Sequence, residues 1–364
     1  MIKLLKTCLL LLFSCCMFAQ AANMPGSKNI PGDPARPHSP YLLQRDTLDN
    51  GFSGGWMPHF QPSEEYWVDV HVHLSGITDA DGLKRLLDGW FARLDAYRLG
   101  KVVAITENEK LFRMLGETVE KDPRFAWIYW PKIDAPSLSL VQEAVKNGAC
   151  GLKLHNKPVI EGATPRAVWQ RDEWQKIFSF AADTGLPILW HVTQRQGYSP
   201  YHGGGLNSYW KDGWAKGVDF TNEDLLQDML AVMRRFPALK VIGAHQLHVG
   251  LERLQKLFQE YENLYIDSSC GMYLRWADEF IEDDRIVLRD FIERWSERIL
   301  FGTDADMRPG NIDDFAVQGF LCHARFMLKL GLSDKALQDV AWRTTSALLK
   351  LSPVSSARRG NVRP

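Results

Sequence analysis

Eight short apolar runs alternating with stretches of helical spacing restrict the fold of this chain more than any other feature. The runs lie at 68–73, 101–105, 125–130, 151–155, 186–191, 239–245, 264–267 and 299–302. Near-continuous apolar runs of this length mark strands covered on both faces, as in parallel sheets flanked by helices. Between them the spacing predicts helices over 80–97, 110–119, 138–147, 169–184, 223–235, 251–262 and 283–296, and two more over 315–330 and 334–351 close the pattern. The first of these carries Leu83, Leu86, Leu87, Trp90, Phe91 and Leu94 on one face. Eight strand-helix units at intervals of about 25 to 50 residues specify a single (β/α)8 barrel, an α/β TIM barrel. An open doubly wound sheet would want a glycine-rich phosphate loop after an early strand, and none is present.

The barrel accounts for 66–351 of the 364 residues. Ahead of it, Lys3 and Lys6 precede an apolar run over 7–18 and the small-x-small pattern Ala19-Gln20-Ala21, so 1–21 reads as a secretory signal peptide. A lipoprotein route through Cys15 is less favoured, because Phe13 stands where a small residue is usual, and the run is too short for a membrane span. Residues 22–65, rich in Pro, Gly, Ser and Asn, read as an irregular extended arm, and 352–364 as a tail. Only Cys150, Cys270 and Cys322 remain in the mature chain, too few and too scattered for a disulfide framework. The expected product is exported, periplasmic or secreted, with no membrane insertion after signal removal. A net charge of −1 and pI near 6.8 favour neither nucleic acid nor an anionic surface. The expected partner is therefore a small molecule, with a homodimer left open.

Barrel enzymes place their chemistry at the C-terminal ends of the strands. Those ends carry His71, His73, Lys153, His155, His191, His245, Asp267 and Asp304. His71 and His73 stand two residues apart, so one face of a strand can aim both imidazoles at one ion. Any one of these histidines is more often a hydrogen-bonded core residue than a ligand; their joint placement at strand ends is what points to a metal site. The loop over 192–221 holds Arg195, Tyr198, Tyr201, His202, Trp210 and Trp214, and is read as a cover over the substrate. Arg275 and Arg308, with Trp130, Trp190 and Tyr273, suit a ring or apolar group with an attached anion. His38, His59, His248 and His323 read as structural or solvated.

The motifs Val-Asp-Val-His-Val-His at 68–73, Gly-Leu-Lys-Leu-His at 151–155, Ile-Leu-Trp-His at 188–191, Val-Ile-Gly-Ala-His at 241–245, Leu-Tyr-Ile-Asp-Ser-Ser at 264–269 and Leu-Phe-Gly-Thr-Asp at 300–304 together resemble the amidohydrolase superfamily. The likeness is to the branch called amidohydrolase family 2, which includes aminocarboxymuconate-semialdehyde decarboxylase and related hydrolases and hydratases. It implies one divalent metal, zinc first and manganese second, on His71, His73, His191 and Asp304. It also implies catalytic roles for Asp304, as proton acceptor from water, and for His245 beside it. A second metal bridged by carboxylated Lys153 is the less favoured alternative, with His155 and His245 as further metal or substrate groups. The implied function is an exported metal-dependent hydrolase of an amide, ester or lactone in a small carboxylated or cyclic substrate. A non-oxidative decarboxylase or hydratase on the same site, and a non-catalytic metal-binding barrel, are the alternatives. One departure is that residues 342–347 replace the Asn-Ala pair that often opens the family's closing helix.

Overall fold

The computed structural model describes residues 66–94, 98–193, 218–269, 282–310, 320, 323–324, 327–328 and 330–353. The expected signal peptide and arm, the loop residues Arg195, Tyr198, His202 and Trp210, Arg275, and the tail beyond residue 353 lie outside the described residues.

Nine parallel strands form one sheet: β1 (Trp67–Leu74), β2 (Leu99–Thr106), β3 (Phe125–Tyr129), β4 (Ala149–His155), β5 (Ile188–His191), β6 (Val241–Gly243), β7 (Leu264–Asp267), β8 (Ile299–Leu300) and β9 (Ala305–Met307). Successive strands pair from β1 to β8, and β9 pairs back onto β1. The ring is closed by backbone bonds from Val70 N–H to the Phe301 carbonyl (3.0 Å) and from Asp304 N–H to the His71 carbonyl (2.8 Å). This is the single (β/α)8 barrel that the alternation predicts. Helices α1 (Ala80–Leu94), α2 (Phe112–Lys121), α3 (Leu138–Lys146), α4 (Asp172–Thr184), α5 (Asn222–Arg235), α6 (Leu251–Glu260) and α7 (Glu282–Trp295) follow in turn. The six apolar residues of α1 are all buried. No helix among the described residues is long and apolar enough to cross a membrane.

Two apolar layers hold the barrel. Trp67, Val102, Trp127, Leu152, Trp190 and Val241 pack outward against the helices, while Val68, Val70, Val103, Ile105, Ile128, Leu189, Ile242 and Leu300 fill the interior. Strict alternation from Val68 and Val70 would send His71 and His73 outward. A β-bulge prevents this: Asp69 pairs with Val102 and Val72 with Ala104, so three steps on β1 match two on β2. The extra residue re-aims both histidines into the barrel. β4 repeats the device, with Ala149 opposite Trp127 and Leu152 opposite Tyr129. Cys150 packs on the interior layer, yet Lys153 and His155 also turn inward beyond the irregularity. Gly151 sits at that point, where a Cβ would approach the Pro187 carbonyl oxygen to 3.0 Å.

Three departures from the sequence pattern matter. β6 stops at Gly243, so His245 is carried on a left-handed turn (φ 56°) rather than on a strand. Trp190 faces outward, stacked on Phe178 and edge-on to Trp169, and so packs in the helix layer rather than at the barrel mouth. The closing helix, expected unbroken over 334–351, is split by a π-helical turn at Asp339–Arg343, where the Val340 carbonyl accepts the Phe301 N–H (3.1 Å). An acceptor diverted to the sheet interrupts the helical ladder.

Gly302 joins this frame to the interior: a Cβ there would lie 3.1 Å from the His71 Cβ and 3.3 Å from Val70 Cγ1. Gly302→Ala is expected to destabilise the fold by about 1–3 kcal/mol through overpacking. Urea unfolding should show a lower midpoint with an unchanged slope.

Candidate metal centre

The inward histidines meet at the mouth of the barrel. His71 Nε2 and His73 Nε2 lie 3.2 and 3.1 Å from Asp304 Oδ1, and the three donor atoms fall within 4.8 Å of one another. Two donors each roughly 2.1 Å from a common ion stand about 3.0–3.4 Å apart, so these separations are those of a ligand set. Asp304 has φ 62°, a left-handed conformation that non-glycine residues seldom take. It is held there by its own N–H bond to His71 and by the turn before it, in which buried Asp69 accepts from Thr303 Oγ1 (2.6 Å), Thr303 N–H (3.0 Å) and His71 N–H (3.2 Å).

The tautomers can be traced from Asp267, wholly buried at the end of β7. Its Oδ2 accepts from His71 Nδ1 (2.7 Å), and its Oδ1 from the hydroxyl of Ser269 (2.6 Å) and from the backbone N–H groups of His245 (2.8 Å) and Ser269 (3.1 Å). His71 therefore carries its proton on Nδ1 and leaves Nε2 as a lone pair. Because the Ser269 hydroxyl proton is spent on Asp267, its oxygen accepts from His245 Nδ1 (2.8 Å). His245 Nε2 is then a lone pair, and the partner 3.2 Å away, His191 Nδ1, donates to it. The chain ends at His191 Nε2, a buried lone pair with no hydrogen-bond partner among the described residues. A buried acceptor left bare in this way costs about 1–3 kcal/mol unless something binds it.

Burial holds His71, His191 and His245 well below the usual imidazole range, and the nearby Lys153 lowers each further. Neutral imidazoles are the metal-binding form. Burial raises Asp304, but the facing His71 and His73 outweigh it, and its carboxyl sits below the ordinary value. Lys153 reaches His71 Nε2 at 2.9 Å, and burial brings its ammonium down to about 8 against the pull of Asp304 and Asp267.

Of the sequence-derived site residues, His71, His73 and Asp304 form the close group. Lys153, His191 and His245 surround it. His155 stands at the rim, its ring 4.0 Å from that of His191. Arg308 lies on the rim past Asp304 and pairs with Asp306 (3.3 Å). Asp69, Ser269, Thr303 and Gln246 were not singled out as site residues, and Asp267, counted among the strand-end groups, was given no role. Gln246 donates to the carbonyls of Asp267 (2.7 Å) and Ser269 (3.0 Å) and pins the His245 turn. Asp267 had a signal, its place at a strand end; the others have none short of the folded turns.

The profile of the family described as Amidohydrolase matches residues 68–351. No curated protein matches the chain. Among solved structures, an uncharacterised TIM-barrel protein from Bordetella bronchiseptica is 13% identical, covering 80% of this chain and 100% of its own, with a TM-score of 0.51. Dihydroorotase from Campylobacter jejuni is 15% identical over 80% of this chain and 87% of its own, with a TM-score of 0.50. A 2,6-dihydroxybenzoate decarboxylase in complex with 2,6-dihydroxybenzoate is 15% identical over 79% of this chain and 100% of its own, with a TM-score of 0.51. At such identities the likeness is one of fold.

Asp267→Asn keeps the shape but replaces one carboxylate oxygen with an amide donor, upsetting the tautomer chain at its origin. Zinc affinity, measured by competition with a chromogenic chelator, is expected to fall about 10- to 100-fold while the fold is retained.

Proposed function

The chain belongs to the amidohydrolase family, and from that premise we propose that it is a metal-dependent hydrolase cleaving an amide, ester or lactone bond of a small carboxylated or cyclic substrate. The observation that carries this reading is the donor set itself. His71 Nε2, His73 Nε2 and Asp304 Oδ1 sit at ligand spacing beside a bare, desolvated His191 Nε2. Two or more neutral imidazoles with one carboxylate suit zinc, with manganese next. When bound, the cation supplies Lewis acidity, polarising a substrate oxygen and bringing the pKa of water to roughly 7.

The chain's own residues supply the rest. Asp304 turns Oδ1 to the two histidines, and Oδ2 is the atom that takes the proton of the attacking water and later passes it to the leaving group. A carboxyl held below its ordinary value is ionised and ready for that transfer at neutral pH. His245 keeps its proton on Nδ1 through Ser269 and accepts the His191 Nδ1–H at Nε2, which orients both rings beside the reacting group. Lys153, an unmodified amine in this reading, offers a donor to a substrate oxygen from the floor of the site. The leader-like residues 1–21 support an exported enzyme acting on a scavenged compound.

Purified protein is expected to hold about one zinc per chain, and chelation should abolish turnover. His71→Ala should lose the metal and reduce turnover at least about 100-fold. Screening esters, lactones and amides in ¹⁸O-water should give products carrying one oxygen from solvent. Release of carbon dioxide from a carboxylate without such incorporation would overturn hydrolysis in favour of decarboxylation.

A further inference from the structure

β4 brings two polar side chains inward, and only Lys153 reaches the donor set. His155, two residues on and half-buried, rises to the mouth. The ladder sets it opposite His191, with ring centroids 4.0 Å apart and planes at 29°. On its other side the indole of Trp130 lies 5.8 Å away and nearly parallel, at 13°. Trp130 in turn meets His73 at 5.7 Å. His73, Trp130, His155 and His191 thus make one continuous aromatic wall running between two of the expected metal ligands.

The tautomer of His155 is fixed from behind. Its Nδ1 accepts the backbone N–H of Lys157 (2.8 Å), at the start of the short helical turn Lys157–Ile160. The Nδ1 lone pair is therefore occupied, and the single proton of a neutral ring sits on Nε2. A protonated nitrogen is no metal ligand, so this geometry removes His155 from any second-metal set. Among the described residues Nε2 has no acceptor, which leaves a fixed N–H donor on an aromatic wall.

We propose that His155 is a substrate-binding residue, whose Nε2–H donates to an oxygen of a planar ligand lying along Trp130. Flat rings stack on such a wall, and a preorganised neutral donor selects carboxylate or carbonyl oxygen. The inference rests on the site reading above and names its substrate class as planar and oxygen-bearing.

The test is calorimetric titration of benzoate, run on protein as purified and after zinc loading, with zinc content read on the same samples. His155→Phe keeps the ring and removes the donor; His155→Gln keeps a donor near the Nε2 position. Benzoate affinity should fall about tenfold or more in H155F and stay within about threefold of wild type in H155Q, with zinc content unchanged in both. Should H155F fail to fold, His155→Leu replaces it, with the same loss expected. Equal benzoate affinity in wild type and the donor-less variant would overturn the proposal. So would no benzoate binding to wild type at millimolar concentration, or zinc loss in the variants, which would make His155 a ligand. If the wild type takes up no zinc or hydrolyses no ester, lactone or amide while the benzoate order holds, the hydrolase reading falls and the His155 assignment stands.

Discussion

The whole site hangs on one buried carboxylate. Asp267 sits at the end of β7 with no solvent access, and burial alone drives its acid strength down. Four donors answer that penalty: the ring of His71, the hydroxyl of Ser269 and two backbone N–H groups. A buried charge is tolerated only when its lone pairs are filled this fully. Because the donors are themselves site groups, satisfying Asp267 also decides which nitrogen of His71, His245 and His191 carries the proton. Electrostatic need at one strand end becomes orientation at three others.

Much of this was legible in the sequence, because the barrel is written in apolar period and strand ends are where such folds keep polar groups. The strands at 264–267 and 68–73 lie within or coincide with the observed β7 and β1. The paired histidines were read through the two-residue repeat, which holds locally from His71 to His73. What the repeat could not show is that the strand changes phase just before them. A bulge depends on how two chains register against each other, and nothing in the residues 67–70 announces it. The short β9 was hidden for the same reason, since Ala305–Met307 has no apolar run and is a strand only because β1 offers it an edge. His245 was assigned to a strand end; its left-handed turn is held by Asp267 and Ser269, which anchor the His245 N–H and the Gln246 amide from more than twenty positions away in sequence.

Backbone strain gathers at the same place. His245, Gln246, Leu247 and His248 run consecutively with positive φ and Asp304 adds a fifth, while among the described non-glycine residues Arg98 and Lys350 share it elsewhere. Each such residue costs of the order of 1–3 kcal/mol and persists only where surrounding bonds over-determine it. Here those bonds are identifiable. Asp69 and Thr303 hold the Asp304 turn, and Asp267, Ser269 and Gln246 hold the other. The apolar layers inside and outside the barrel supply stability that these turns draw down, a division common where chemistry requires an unusual backbone.

The bulges on β1 and β4 have a further consequence for how such a site can arise or be lost. Each converts a matter of side-chain identity into one of strand register. Were the same residues of β1 to pair with β2 without the bulge, the strand would still be apolar, yet both imidazoles would turn to the helix layer. Drift by substitution would erode this centre gradually. A slip of register past the bulge would erase it in a single step, whereas loss of the extra residue itself would only straighten the strand and leave both imidazoles facing inward.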